Sequence, residues 1–217
     1  MPSFPRAPRP FKGAIIGFDR GNPLASVVVF QYNPHTMTRT LNARATNWED
    51  GSNRYEPFRL IGPPNETITL DVEVDAADQL ETLNPIAVQM GVYPAISALE
   101  MLLYPKSATV IQNMALERLG SVEIIPPEGP LTLFVWGIKR VLPVRLSSFS
   151  ITEEAYDTQL NPIRASLNLT LQVMSYQDLE RNSKGANLFM VHQVAKEVMA
   201  TSNVFNSVAN IGFSLPL

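Results

Sequence analysis

Two periods of hydrophobic and polar residues divide the chain. Residues 66–75 alternate, with Ile68, Leu70, Val72 and Val74 on one side and Thr67, Thr69, Asp71, Glu73 and Asp75 on the other. A period of two marks a strand with one face buried. Residues 163–174 repeat the pattern, setting Ile163, Ala165, Leu167, Leu169, Leu171 and Val173 against Arg164, Ser166, Asn168, Thr170, Gln172 and Met174. Together with residues 149–157 and a turn at Asn161 and Pro162, this segment predicts a long antiparallel hairpin reaching Gln177. Apolar runs at 14–18 and 25–31, split by Asp19, Arg20, Gly21, Asn22 and Pro23, predict another hairpin. Residues 131–136 and 139–151 predict two more strands, with Gly137 at a tight turn or bulge. Residues 36–48 read as a strand or extended arm with a polar face.

Around Ala76 the period lengthens. Leu80, Leu83, Ala87 and Val88, then Ile96, Leu99, Met101, Leu102 and Leu103, recur at helical spacing, with Asp75 as the expected N-cap. Pro94 suits the first turn of a second helix, which Pro105 stops. A short helix is expected near 110–119. Residues 76–128 thus form a helical insertion in a β domain spanning 13–178. Beyond it come a linker at 180–185, a helix at 187–199 built on Leu188, Val191, Val194, Ala195 and Val198, and an apolar tail with Phe205, Ile211 and Phe213. The tail either packs back on its own domain or inserts into a neighbour. The expected fold is mainly β with a helical insertion, an α+β protein with a C-terminal helical extension. Residues 1–12, with four prolines, two arginines and a lysine, read as a mobile arm or one that orders against an acidic neighbour.

Composition narrows the function classes. Charged residues make up 17% of the chain, below the roughly 25% usual for soluble domains, so much of the surface is expected to be covered by partners. Net charge is −3 and the only basic cluster is the N-terminal one, which argues against nucleic-acid binding. The absence of cysteine excludes disulfides, thiolate nucleophiles and cysteine-held metal or iron–sulfur centres. No signal-peptide core follows the basic start and no run approaches a membrane span, so the expectation is synthesis in the cytoplasm without membrane insertion.

Catalytic chemistry finds no set of residues. His35 and His192 each lack a second ligand at metal spacing. Glu153 and Glu154 are adjacent on a strand and so face opposite ways, which prevents paired acid–base work. Asp71, Glu73 and Asp75 share a strand face, read as an acidic exposed or lumen-facing stripe rather than a cation site. Phosphate loops and nucleophile elbows are missing from the sequence. Asn65-Glu66-Thr67 and Asn168-Leu169-Thr170 match the glycosylation triplet but sit in strand segments. Trp48, Trp136, Tyr32, Tyr55 and Phe58 leave open a carbohydrate- or peptide-binding β-sandwich acting as a monomer. We assign no catalytic, cofactor-binding or metal-binding residue.

One set of motifs points to a family. Phe30-Gln31-Tyr32-Asn33-Pro34 is a strand ending in an aromatic-polar-aromatic-Asn-Pro turn. After it, in order, come Asn47-Trp48-Glu49, the alternating strand at 66–74, Trp136-Gly137 at a strand end, and Asn161-Pro162-Ile163-Arg164-Ala165 leading into the last long strand. Over residues 25–177 this order resembles the contractile injection system tube-type proteins that join spike to tube. The resemblance implies a tail-tube-like β-barrel or sandwich, with copies closing edge to edge into a ring, six by the family pattern. It implies an adaptor role, with the tube protein, the spike or hub protein and baseplate wedge components as partners. An ordinary tube subunit or tube terminator is the nearest alternative. Many members carry a C-terminal LysM module, whose pattern is absent here, so docking onto another baseplate component is expected of the helix and tail instead.

Overall fold

In the computed structural model, which describes residues 11–18, 26–44, 60–118 and 129–211, the alternating segments become strands of one sheet. Chain order is β1 (Ala14–Phe18), β2 (Ser26–Val29), β3 (Met37–Asn42) and β4 (Asn65–Asp75). Helices α1 (Ala77–Glu81), α2 (Pro85–Met90), α3 (Tyr93–Glu100) and α4 (Ser107–Arg118) follow. Then come β5 (Leu131–Val135), β6 (Val141–Tyr156), β7 (Pro162–Val173) and α5 (Lys184–Ile211). The sheet order is β2-β1-β5-β6-β7-β4-β3, and every neighbouring pair is antiparallel.

The sheet is curled. In a flat sheet, five strand spacings of about 4.8 Å would separate β2 from β4 by roughly 24 Å. Gln31 lies only two residues past β2, a reach of roughly 12 Å including its side chain, yet its Oε1 accepts the Asp75 amide at the end of β4 at 2.9 Å. On the concave side, Ile15, Val28, Phe30, Ile68, Leu70, Val72, Phe134, Leu142, Val144, Leu167, Leu169 and Leu171 form one core. Cross-strand register explains it: Ile68 faces Leu171, Leu70 faces Leu169, Val72 faces Leu167 and Val74 faces Ala165. Ala87, Val92, Ile96 and Leu99 add the inner faces of α2 and α3 to the same core.

Strand β6 is longer than either of the runs that predicted it. A register shift between Leu146 and Ser148 lets Ser147 donate its hydroxyl to the Thr170 carbonyl at 2.9 Å. The inward positions therefore change from Leu142, Val144 and Leu146 to Phe149 and Ile151, all part of or packed against the core. β5 pairs with β6 only over Val141–Val144, so among the described strands the rest of β6 is bonded to β7 alone.

Several boundaries differ from expectation: the helix expected to be stopped by Pro105 already ends at Glu100. β7 ends at Val173, because Asp178 turns the chain by accepting the Ser175 amide at 2.9 Å and its hydroxyl at 2.6 Å. Helix α1 starts at Ala77 with Ala76 at the N-cap position, and Asp75 caps it from one residue further back by accepting the Ala77 amide at 2.7 Å. The expected linker is a hydrogen-bonded turn that runs into the helix: Arg44 grips Asp178 just before it at 2.9 Å, the Ser183 amide donates to the Glu180 carbonyl at 3.1 Å, and the Ser183 hydroxyl accepts the Ala186 amide at 3.2 Å as the N-cap of α5, which starts at Lys184. Helix α5 runs on to Ile211, so most of the expected tail is helix. The turn at 19–23, the 47–49 motif, Tyr55, Phe58, Phe213 and most of the N-terminal arm lie outside the described residues.

Candidate assembly surfaces

The motif residues separate into a buried set and a surface set. Phe30 is fully buried, and Trp136 stacks on Phe134 with ring centroids 5.9 Å apart. A Cβ at Gly13 would sit 2.7 Å from Phe30 and 2.8 Å from Trp136, so the residue leading into β1 passes these rings only as glycine. Gly137 adopts φ 67° in the β5–β6 turn, closed by the Trp136 amide on the Arg140 carbonyl at 2.8 Å. The Phe30, Trp136 and Gly137 positions therefore build the core and its turn.

Tyr32, Asn33 and Arg164 meet at the surface. Asn33 Oδ1 accepts the Gly13 amide and its Nδ2 donates to the Phe11 carbonyl, both at 2.8 Å, which fixes the chain before and after β1 and β2. Pro34, half-buried, follows on the way to β3. Arg164 Nε and Nη2 donate to Asp75 Oδ2 at 3.0 and 2.8 Å. Burial pushes the Asp75 carboxyl up, but the Ala77 amide and the Arg164 guanidinium outweigh it and hold the group below its ordinary range. With Lys12, Gln31, His35 and Glu73 these groups line an open cleft of about 570 Å³. Tyr32 is half exposed at its edge.

Asn161 and Pro162 lock the tip of the β6–β7 hairpin. Asp157 Oδ1 accepts the amides of Gln159 and Asn161 at 2.7 and 2.8 Å, and the Asn161 side chain and amide hold its carboxyl below the usual range. Asn161 Nδ2 also donates to the Gln89 carbonyl at 3.1 Å, and the Pro162 carbonyl accepts the Val92 amide at 2.9 Å. The tip is thereby welded to the α2–α3 junction.

Sequence reasoning missed two features. Glu66, 3% exposed, occupies an inward position at the start of β4 and pairs with Arg39 of β3 (Nε–Oε1 2.7 Å) and Lys196 of α5 (3.5 Å). Beside it His192 is 6% exposed, with neither ring nitrogen in hydrogen-bond geometry among the described residues. Burial and the Lys196 charge lower the His192 pKa against the opposing pull of the nearby Lys139 carbonyl and Glu66, and Arg140 adds to the lowering. The signal was present: Glu66 is a carboxylate in the apolar register of β4. The second missed feature is the amount of exposed apolar surface. Leu83, Ile86, Met90, Tyr93 and Leu160 are exposed around the hairpin tip and α2, and α4 buries none of its residues although it carries Ile111 and Met114. Of the predicted docking positions, Val191 and Val194 are exposed and Leu188 is half-buried. The side chains of Phe205 and Ile211, like Phe213, lie outside the described set.

Among the described residues no three His, Asp or Glu side chains converge as a metal site. Among them, too, no helix is long and apolar enough to cross a membrane. What the described residues define is an α+β protein with one antiparallel seven-stranded sheet. No family model matches the chain, and a search of curated proteins finds no relative.

Proposed function

We propose that this chain is a non-enzymatic structural subunit of a contractile injection particle, a β-barrel-like adaptor whose copies form a ring joining the spike or hub to the inner tube. The observation that carries the reading is β6. Its outer half, residues 147–156, pairs with a strand on one side only among the described residues. An unpaired edge of that length is a template for another strand, and a closed ring of copies removes the hazard. The outward face beside it is polar: Ser150 and Thr152 of β6 face Asn168 and Ser166 of β7, which in turn face Asp71 and Glu73 of β4. Such a face suits a water-filled channel. The apolar surface around the hairpin tip and on α4 suits axial contacts with the tube protein, spike and wedge components.

The helical insertion and α5 favour an adaptor over an ordinary tube subunit, because a chain stacked in many identical layers has little room for such projections. Particles assembled with the tagged chain and imaged by electron microscopy test the proposal. The expected result is a single ring between spike and tube. Many stacked layers would identify a tube subunit instead, and a chain that stays monomeric and absent from particles would end the reading.

A further inference from the structure

Helix α5 is apolar on two opposite sides. On one, Ala186, Phe189 and His192 are buried against the domain and Lys196 reaches Glu66. On the other, Val191, Val194 and Val198 are 68%, 52% and 60% exposed, with Met190 and Val204 beside them. An apolar stripe on a helix is normally covered by a partner element.

The spacing of the exposed side says what covers it. Val191, Val194, Val198 and Thr201 follow intervals of three, four and three, and Phe205 and Val208 continue them in the sequence. This is the a and d register of a heptad, whose 3.5-residue period fits a second helix rather than a flat sheet. At the flanking positions Met190, Ala195, Glu197, Ser202 and Val204 the only charge is Glu197, and no charged side chain follows it to the end of the sequence. In a parallel pair Glu197 of one copy faces Ser202 of the next, so identical helices meet without like-charge repulsion.

The second half of α5 also requires support. Residues 197–204 are all exposed. Valine, threonine, serine and asparagine, which dominate from 198 onward, are poor helix formers, and a short helix of that composition does not persist alone in water.

We infer that α5 packs against α5 of neighbouring copies of this chain, parallel and in register, through Val191, Val194 and Val198. The flanking Met190 and Val204 widen the seam enough to contact a neighbour on each side. The inference names the partner of the docking segment and so rests on the reading that this segment docks, but not on the edge-to-edge ring.

Because the chain contains no cysteine, single cysteines report the contact in the full-length protein. Val198→Cys is expected to form a covalent dimer under mild oxidation, while Ala200→Cys, exposed but off the seam, is not. The double variant Val194→Glu, Val198→Glu is expected to weaken self-association by about tenfold or more in sedimentation, and to match the parent melting temperature once both proteins are diluted to monomers, since both positions are exposed in the single chain. Equal cross-linking at 198 and 200, or an unchanged oligomer in the glutamate variant, overturns the helix pairing and leaves the ring reading standing. Cross-linking at 198 in a chain that forms no ring supports the pairing and removes the ring.

Discussion

The side-chain carbonyl of Gln31 accepts the backbone amide of Asp75 at 2.9 Å, tying the segment after one edge strand to the strand beside the opposite edge. This bond holds the curl of the sheet at the point where the two ends of the strand order approach. Gln31→Ala leaves a half-buried amide without its partner, and such a loss costs about 1 kcal/mol or more. The expected result in denaturant unfolding is a lower midpoint with an unchanged slope. An unaltered midpoint would mean that the core alone sets the curvature.

Gly91 is the other fixed point. It adopts φ 56° between α2 and α3, and a Cβ there would collide with the Pro162 carbonyl oxygen that accepts the Val92 amide. Gly91→Ala combines a disfavoured backbone conformation with a backbone clash, for an expected loss of about 2 kcal/mol or more. Faster proteolysis near the hairpin tip should accompany the lower melting temperature.

Leu83 and Leu160 stand where the backbone prefers glycine or asparagine. Leu83 sits at φ 53° one residue past the α1 cap, with its amide on the Leu80 carbonyl and the Asn84 amide on the Gln79 carbonyl, a helix ending usually built with glycine. Leu160 sits at φ 64° in the hairpin turn, and the two side chains are 77% and 75% exposed. Exposed leucines in a left-handed conformation destabilise the isolated chain, so covering them on assembly would account for their presence. Leu83→Gly and Leu160→Asn are expected to raise the stability of the free protein by about 0.5–1 kcal/mol and to lower incorporation into particles. Variants that assemble as well as the parent would remove the hairpin tip from the list of contact surfaces.

What could be read from the sequence depended on whether a single physical rule governed a segment. β4 and β7 were legible because each keeps one face inward for its whole length. β6 was not, since the shift between Leu146 and Ser148 moves the inward side chains from even to odd positions and divides one strand into two apparent runs. The length of α5 was hidden by its composition, which argues against helix from Thr201 onward. Among the surface residues, Arg164 and Asn33 were found by motif order, but their shared cleft depends on a Gln31–Asp75 contact 44 positions apart in the chain. No periodicity encodes such a contact. Glu66 shows the converse: its place in the apolar register was visible, and only the fold supplies Arg39 and Lys196 as its partners.

His192 gives the chain a pH dependence whose sign can be worked out. The ring is buried where α5 meets the sheet, and the groups that act on it are Glu66 of β4, Lys139 and Arg140 of the β5–β6 turn and Lys196 of its own helix, with Arg39 of β3 paired to Glu66. Burial first, and then the Lys196 charge, lowers its pKa from the ordinary 6.5. The unfolded chain therefore binds a proton at a higher pH than the folded chain does. Stability attributable to this group is complete above about pH 6.5 and falls as the pH drops from there toward the lowered folded value. Asp75 and Asp178, whose folded values lie below 3.8, contribute in the same direction only at more acid pH. The melting temperature is expected to fall between pH 7 and pH 5, with faster hydrogen exchange along residues 184–196, and His192→Leu should flatten that fall. A His192→Leu protein that loses stability over the same interval as the parent would show that another group controls the transition.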